Sequence, residues 1–273
     1  MFQALNVFPG VTHITDVMGV SFTLIEGKEK AILLDTGYGL EDVNAYVRTL
    51  TDKAVMVLLS HGHHDHILGA RWFEKTYLCS EDLDEFTERT GNVQRAKVMK
   101  QAEMRGAEIP PDFMTVVISL PDRFRLTEKT GRFDSVTIDL GGLTVLAVKV
   151  PGHTPGSIVL FIPEYNLLLT GDDWNPCTWM WFPSSVSARI WRENMNSLIR
   201  AAEKMNGSAI SHVLCSHQPI PRDGREIKEF LAYMNDGRME KASFIDMGAP
   251  INTHQITENT RGWTLVFDRD KII

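Results

Sequence analysis

Residues 60–69 read SHGHHDHILG, so four of the chain's nine histidines fall within six positions, with Asp65 among them. Neutral imidazoles and carboxylates are the usual protein donors to zinc and similar first-row ions. His61 and His63 stand two apart, and on extended backbone their side chains leave the same side. Asp65 and His66 follow at the start of the helix expected from HILGARWFEKTY, where the chain turns back. One tight loop can therefore offer donors to two adjacent ions. Turn preferences account for Asp and Gly at such a place, but not for four imidazoles.

These donors need partners, and the rest of the chain places candidates at comparable positions. Asp35 ends AILLD, His153 sits in VPGHTPGS, Asp172 ends LLLTGD and His217 ends VLCSH, each directly behind an apolar run. The runs lack alternation, which suits strands covered on both faces. Two stretches also repeat one order of elements. SFTLIEGKEKAILLDTG, LEDVNAYVRTL and AVMVLLSHGHHDH predict strand, turn, strand, helix, strand; SIVLFIPEYNLLLTGDD, SARIWRENMNSLIRAAEKM and ISHVLCSHQP predict the same. In the second helix Ile190, Met195, Leu198, Ile199 and Ala202 are expected to form the buried stripe. The expected class is α/β, with sheets inside, helices outside and the polar residues at strand ends, where such architectures do chemistry.

His61, His63, Asp65 and His66 match the pattern H-x-H-x-D-H, and His153, Asp172 and His217 follow it in order. With LLDTG before them, the chain resembles the metallo-β-lactamase-fold superfamily, in its glyoxalase II and lactonase-like branch. The resemblance covers residues 5–220 or so. It implies a four-layer αβ/βα sandwich of two mixed β-sheets flanked by helices, as one domain over 1–273. A helical insertion is expected at 80–135 and a C-terminal extension at 220–273. By the same resemblance, His61, His63 and His153 would hold one ion, Asp65, His66 and His217 a second, and Asp172 would bridge them. Asp172 is preferred to Asp173 because it occupies the family's Gly-Asp position. Asp35 would accept a hydrogen bond from a ligand imidazole and fix its orientation. The implied cofactors are two divalent metal ions, zinc first, with iron or manganese as alternatives. His64 has no ligand role in the pattern, and His13, His212 and His254 are expected to be structural or exposed.

A bridging aspartate argues against β-lactam hydrolysis, and His63 in place of a glutamate argues against flavodiiron redox chemistry. The resemblance then implies hydrolysis of a carboxylic ester, lactone or thioester by a hydroxide shared between two ions. Asp65 would be both ligand and catalytic group, orienting the nucleophile and passing its proton to the leaving group. A phosphodiesterase or nuclease, and a mononuclear iron dioxygenase of sulfur compounds, are the alternatives. The formal net charge of −7 disfavours nucleic acid as a partner. Cys79, Cys177 and Cys215 form no C-x-x-C pair and no disulfide framework, and Cys215 reads as a buried strand cysteine. No leader is evident at the N-terminus, and no run approaches the roughly 18 apolar residues needed to span a bilayer. A soluble, cytoplasmic protein with no membrane partner is the expectation.

Two further stretches stand out. Residues 80–135 are charged and mostly helical, suiting either a lid or a surface layer, while the tail RGWTLVFDRDKII reads as an edge strand. Four of the six tryptophans, Trp174, Trp179, Trp181 and Trp191, lie between residues 174 and 191, with Phe182 among them. Trp191 is expected to pack in the helix core. Trp174, Trp179, Trp181 and Phe182 fall in a Pro-bounded loop and are expected to wall a pocket for a small-molecule substrate with an apolar portion. A homodimer contact is the other use for such a loop.

Overall fold

The computed structural model describes residues 1–271, and within it the chain divides into two compact units. The first comprises residues 1–125, 137–145 and 216–220; the second comprises 126–136, 146–215 and the chain from Pro221 onward. Residues 272 and 273, the end of the expected C-terminal extension, lie outside the described residues.

In the first unit a seven-stranded sheet runs in chain order through β1 (Gln3–Phe8), β2 (Val11–Thr15), β3 (Ser21–Glu26), β4 (Lys30–Leu34), β5 (Ala54–Leu58), β6 (Tyr77–Leu78) and β7 (Asp122–Arg123). Pairing is antiparallel from β1 to β4 and parallel from β4 to β7. The helices are α1 (Val43–Leu50), α2 (His64–Ile67), α3 (Leu83–Arg89) and α4 (Asn92–Met104). α1 makes the crossover between β4 and β5, and the Asp42 carboxylate starts it by accepting the Ala45 N–H at 2.8 Å. Phe22, Leu24, Leu33, Val43, Val47 and Val57 share one buried cluster with Ile67 and Phe86. The histidine-rich loop and α3 are thus anchored in the same core as the sheet, each large side chain contributing roughly 1.5–3 kcal/mol on burial.

The second unit holds β8 (Glu128–Thr130), β9 (Phe133–Asp139), β10 (Thr144–Lys149), β11 (Ile158–Ile162), β12 (Leu167–Leu169), β13 (Cys177–Met180), α5 (Ala188–Asn206), β14 (His212–Leu214), β15 (Arg222–Asp223), α6 (Gly224–Tyr233), α7 (Asp236–Glu240), β16 (Ser243–Phe244), β17 (Thr253–Glu258) and β18 (Trp263–Asp268). The tip joining β9 to β10 clusters with the first unit. One sheet has the order β15-β14-β12-β11-β10-β9-β8, and a smaller one the order β13-β18-β17-β16. The repeat expected from sequence is present. β3–β4–α1–β5 and β11–β12–α5–β14 each give an antiparallel pair, a helix and a parallel return strand.

Two expectations need correction. Ile190 is half exposed; the inward face of α5 carries Ala188, Trp191, Met195, Leu198, Ile199 and Ala202 instead. Counting back from Ala202 in helical steps lands on Trp191, and Ile190 falls one position outside the stripe. The tail strand β18 is not at an edge: it lies between β17 and β13, with Leu265, Val266 and Phe267 buried in succession. The structure of the 80–135 segment is helical only through Met104, after which it follows an irregular path to β7, β8 and the start of β9.

Candidate metal centre

In the first unit, β5 delivers Ser60 and His61 behind its buried end, and His63 keeps extended backbone (φ −79°, ψ 145°) before α2 begins. The rings of His61 and His63 lie 4.8 Å apart, and those of His61 and His66 4.2 Å apart, by centroid. Asp35 organises this group from the end of β4. It is buried, and its φ of 68° is one of two left-handed values at non-glycine residues among those described. Its Oδ1 accepts the Ser60 N–H at 2.6 Å, and its Oδ2 accepts the Ser60 hydroxyl at 2.7 Å and His66 Nδ1–H at 3.0 Å. Because Ser60 gives its proton to Asp35, its oxygen acts as acceptor toward His61 Nδ1, 2.9 Å away. Asp35 therefore fixes two imidazoles, one directly and one through Ser60, and turns Nε2 of each away as the donor atom.

Asp65 Oδ2 stands 3.6 Å from His66 Nε2 and 3.6 Å from His217 Nε2. These gaps are too long for hydrogen bonds. They are close to the ~3.3 Å expected between two ligands of a tetrahedral ion with bonds of ~2.0–2.1 Å, so the donor set fits a zinc-like ion. His217 follows β14 on a segment tied to the first unit. The Ser21 N–H donates to Ser216 O at 2.7 Å, and His13 Nε2–H donates to Gln218 O at 2.9 Å while its Nδ1 accepts from Thr23 Oγ1. His13 is thus a buried structural residue, and burial, partly opposed by the Gln218 hydrogen bond, pushes its pKa down. His64 lies edge-on to Tyr38, with ring centroids 5.5 Å apart, and burial lowers it to about 4.

His63 has a partner that the sequence did not reveal. Glu85 on α3 places Oε1 3.3 Å from His63 Nε2 and accepts Arg89 Nε–H at 2.7 Å. Burial opposes the charge on Glu85, but His63 and Arg89 outweigh it and bring its pKa to about 2. Asp82, fully buried before α3, accepts the Gly62 N–H at 3.0 Å. The available signal was Gly62 itself, since a glycine inside the motif marks a close approach by another segment.

In the second unit, His153 Nε2 lies 3.7 Å from Asp172 Oδ2. His153 Nδ1–H donates to Trp179 O on β13 at 2.6 Å, again presenting Nε2 as the donor atom. Asp172 and Asp173 have different surroundings. Asp173 Oδ1 accepts the His153 N–H at 2.7 Å, and Asp173 O accepts the Trp191 indole N–H at 2.6 Å. Gly152 permits this, because a Cβ there would meet Asp173 Oδ1 at 2.3 Å.

The aromatic stretch is not the irregular loop expected. Residues 177–180 form β13, paired in parallel with β18, with Cys177 and Trp179 outward and Thr178 and Met180 inward. Trp179, Trp181 and Phe182 make one cluster, with Trp181 stacked on Phe182 at 4.6 Å and Phe182 edge-on to His153 at 5.2 Å. Trp174 is different. It is wholly buried against Phe230 in the apolar core, which corrects its expected place in a pocket wall. Cys215 is buried, and burial pushes its thiol far up, as suits a structural cysteine.

A family model described as the metallo-beta-lactamase superfamily matches residues 15–217. The chain is 30% identical over 163 residues to the beta-lactamase-like protein 2 homolog of Drosophila melanogaster, covering 57% of this chain and 47% of that protein. It is 24% identical over 176 residues to the acyl-coenzyme A thioesterase MBLAC2 of Bos taurus, covering 56% of this chain and 60% of that protein. The chain thus spans less than two thirds of the length of these curated relatives. Among solved structures, a metallo-beta-lactamase from Pontibacter korlensis is similar with a TM-score of 0.58 at 15% identity, covering 85% of this chain and 98% of that one. The sec-alkylsulfatase Pisa1 from Pseudomonas sp. gives a TM-score of 0.61 at 18% identity, covering 88% of this chain and 43% of that one. At such identities the likeness shows the fold, and it is the mixed α/β sandwich fold expected from the motifs. With residues 15–217 matched by the family model and its motif histidines clustered behind β5, the chain belongs to the metallo-beta-lactamase superfamily.

Proposed function

We propose that this chain is a metal-dependent hydrolase of a carboxylic ester, lactone or thioester with an apolar acyl portion. One observation carries the reading: His61, His66 and His153 each have Nδ1 engaged by a protein oxygen, so each presents Nε2 as a ready donor. By the family's pattern, His61, His63 and His153 would hold one ion, and Asp65, His66 and His217 the other, with Asp172 shared between them. Two divalent ions bound there, zinc by the donor chemistry, would supply an acidified water and polarise the acyl oxygen.

The chain's own residues would do the rest. Asp65 is the carboxylate placed to take a proton from the attacking water and return it to the departing thiolate or alkoxide. The hydroxyl joins the acyl carbon, the carbon–sulfur or carbon–oxygen bond breaks, and the proton goes to the departing sulfur or oxygen, giving acid plus thiol or alcohol, or a single hydroxy acid from a lactone. Asp35, Ser60 and Trp179 O keep the imidazoles oriented throughout. Trp179, Trp181 and Phe182, beside His153, would carry the acyl chain. The thioesterase name of the Bos taurus relative supports this choice of bond.

The test is a panel of thioesters from acetyl to decanoyl, with lactones, aryl esters and bis-aryl phosphodiesters, assayed by kcat/KM. Each buried methylene is worth up to about 0.8 kcal/mol, so kcat/KM should climb with acyl length and flatten in Trp179→Ala and Trp181→Ala. A wild type indifferent to length would remove the acyl assignment. Turnover of phosphodiesters alone would replace it with the phosphodiesterase alternative, and oxygen uptake with a persulfide would replace it with the iron oxygenase.

A further inference from the structure

We infer that Glu85, held by Arg89, is a positioning residue for His63 and so sets the affinity of one of the two metal positions, an inference that rests on the dinuclear reading above. The geometry is local to the first unit. The Glu85 side chain is 13% exposed and that of His63 5%, with 3.3 Å between Oε1 and Nε2. The carboxylate stands at ion-pair rather than hydrogen-bonding geometry to Nε2, and its charge favours the imidazole proton on that nitrogen and the lone pair on Nδ1. It also raises the basicity of the opposite nitrogen, which strengthens that nitrogen as a metal donor. Arg89 Nε–H, one helical turn along α3, holds the same oxygen at 2.7 Å and prevents the carboxylate from swinging away.

Three contacts make α3 a fixed support rather than a movable cover at this point. Asp82 Oδ2 accepts the Gly62 N–H. Phe86 is fully buried in the core cluster that includes Ile67 and Leu78. A Cβ on Gly62 would stand 2.9 Å from Glu85 Cβ and 3.0 Å from Asp82 O, so the loop and the helix touch with no room between them. His61 and His66 depend on a separate anchor, Ser60 and Asp35. Loss of Glu85 should therefore act on the position that uses His63 and spare the one that uses His66.

The experiment is zinc binding by the full-length chain in competition with a chromophoric chelator, resolving two dissociation constants. Glu85→Ala should weaken one ion by roughly 10- to 100-fold and leave the other unchanged. Glu85→Gln, which keeps an acceptor without the charge, should give a smaller loss, and Arg89→Ala a smaller one again. Val98→Ala, in the buried face of α4, is the stability control: it should lower Tm and change neither constant. Should Glu85→Ala fail to fold, Glu85→Gln carries the comparison. Wild-type constants in both Glu85 variants, or equal weakening of both ions in step with Val98→Ala, would overturn the inference. A wild type that takes up no second zinc would instead remove the dinuclear reading beneath it.

Discussion

Three carboxylates of the first unit receive three tasks from their surroundings. Asp35 is buried and saturated by Ser60 and His66, so it orients rather than reacts. Glu85 is pinned between His63 and Arg89. Asp65, 3.6 Å from two imidazole nitrogens, is the carboxylate to which the proposed mechanism gives the attacking water. Asp65→Asn keeps the shape and removes the charge, and kcat should fall roughly 10²-fold or more. His64→Ala, whose ring packs on Tyr38, should cost far less. Equal impairment of the two variants in steady-state assays would show the roles to be misassigned. The clustering of His61, His63 and His66 was legible in the sequence because their type and spacing are rare in any other context. Glu85 was not, because a glutamate in a charged helix 22 positions beyond His63 has no signal of its own; only Gly62 hinted at the approach. Trp174 misled because a tryptophan beside a motif looks the same in sequence whether it faces the core or a pocket.

The repeated strand–strand–helix–strand order was readable because unbroken apolar runs and helical spacing are set by burial. β13 was not, since its strand character comes from pairing with β18, more than 80 residues away in sequence. The same limit made β18 look like an edge. His13 on β2 illustrates an element-level role that sequence left open: it ties β2 to the segment that carries His217. Its pKa is lowered by burial, so the folded chain resists a proton that the unfolded chain accepts near pH 6.5. The stability it contributes is present above that pH and declines as pH falls below it. The Tm difference between wild type and His13→Gln should therefore be largest near pH 7.5 and shrink toward pH 5. A difference that widens on acidification would show that His13 is protonated in the fold.

At the scale of the molecule, each of the two compact units carries one copy of the repeat, and each ends its apolar strands in candidate ligands. No helix among the described residues is long and apolar enough to cross a membrane. The family likeness and the donor groups both support metal-dependent chemistry. The dinuclear centre is the claim on which the proposed function depends, and metal content measures it most directly. Protein purified without chelator and saturated with zinc should hold two ions per chain, and Asp172→Asn and His153→Ala should each hold fewer, with hydrolysis lost on chelation and restored by zinc. A wild type with full turnover and a single ion per chain, or an Asp172→Asn variant that keeps both ions, would contradict it.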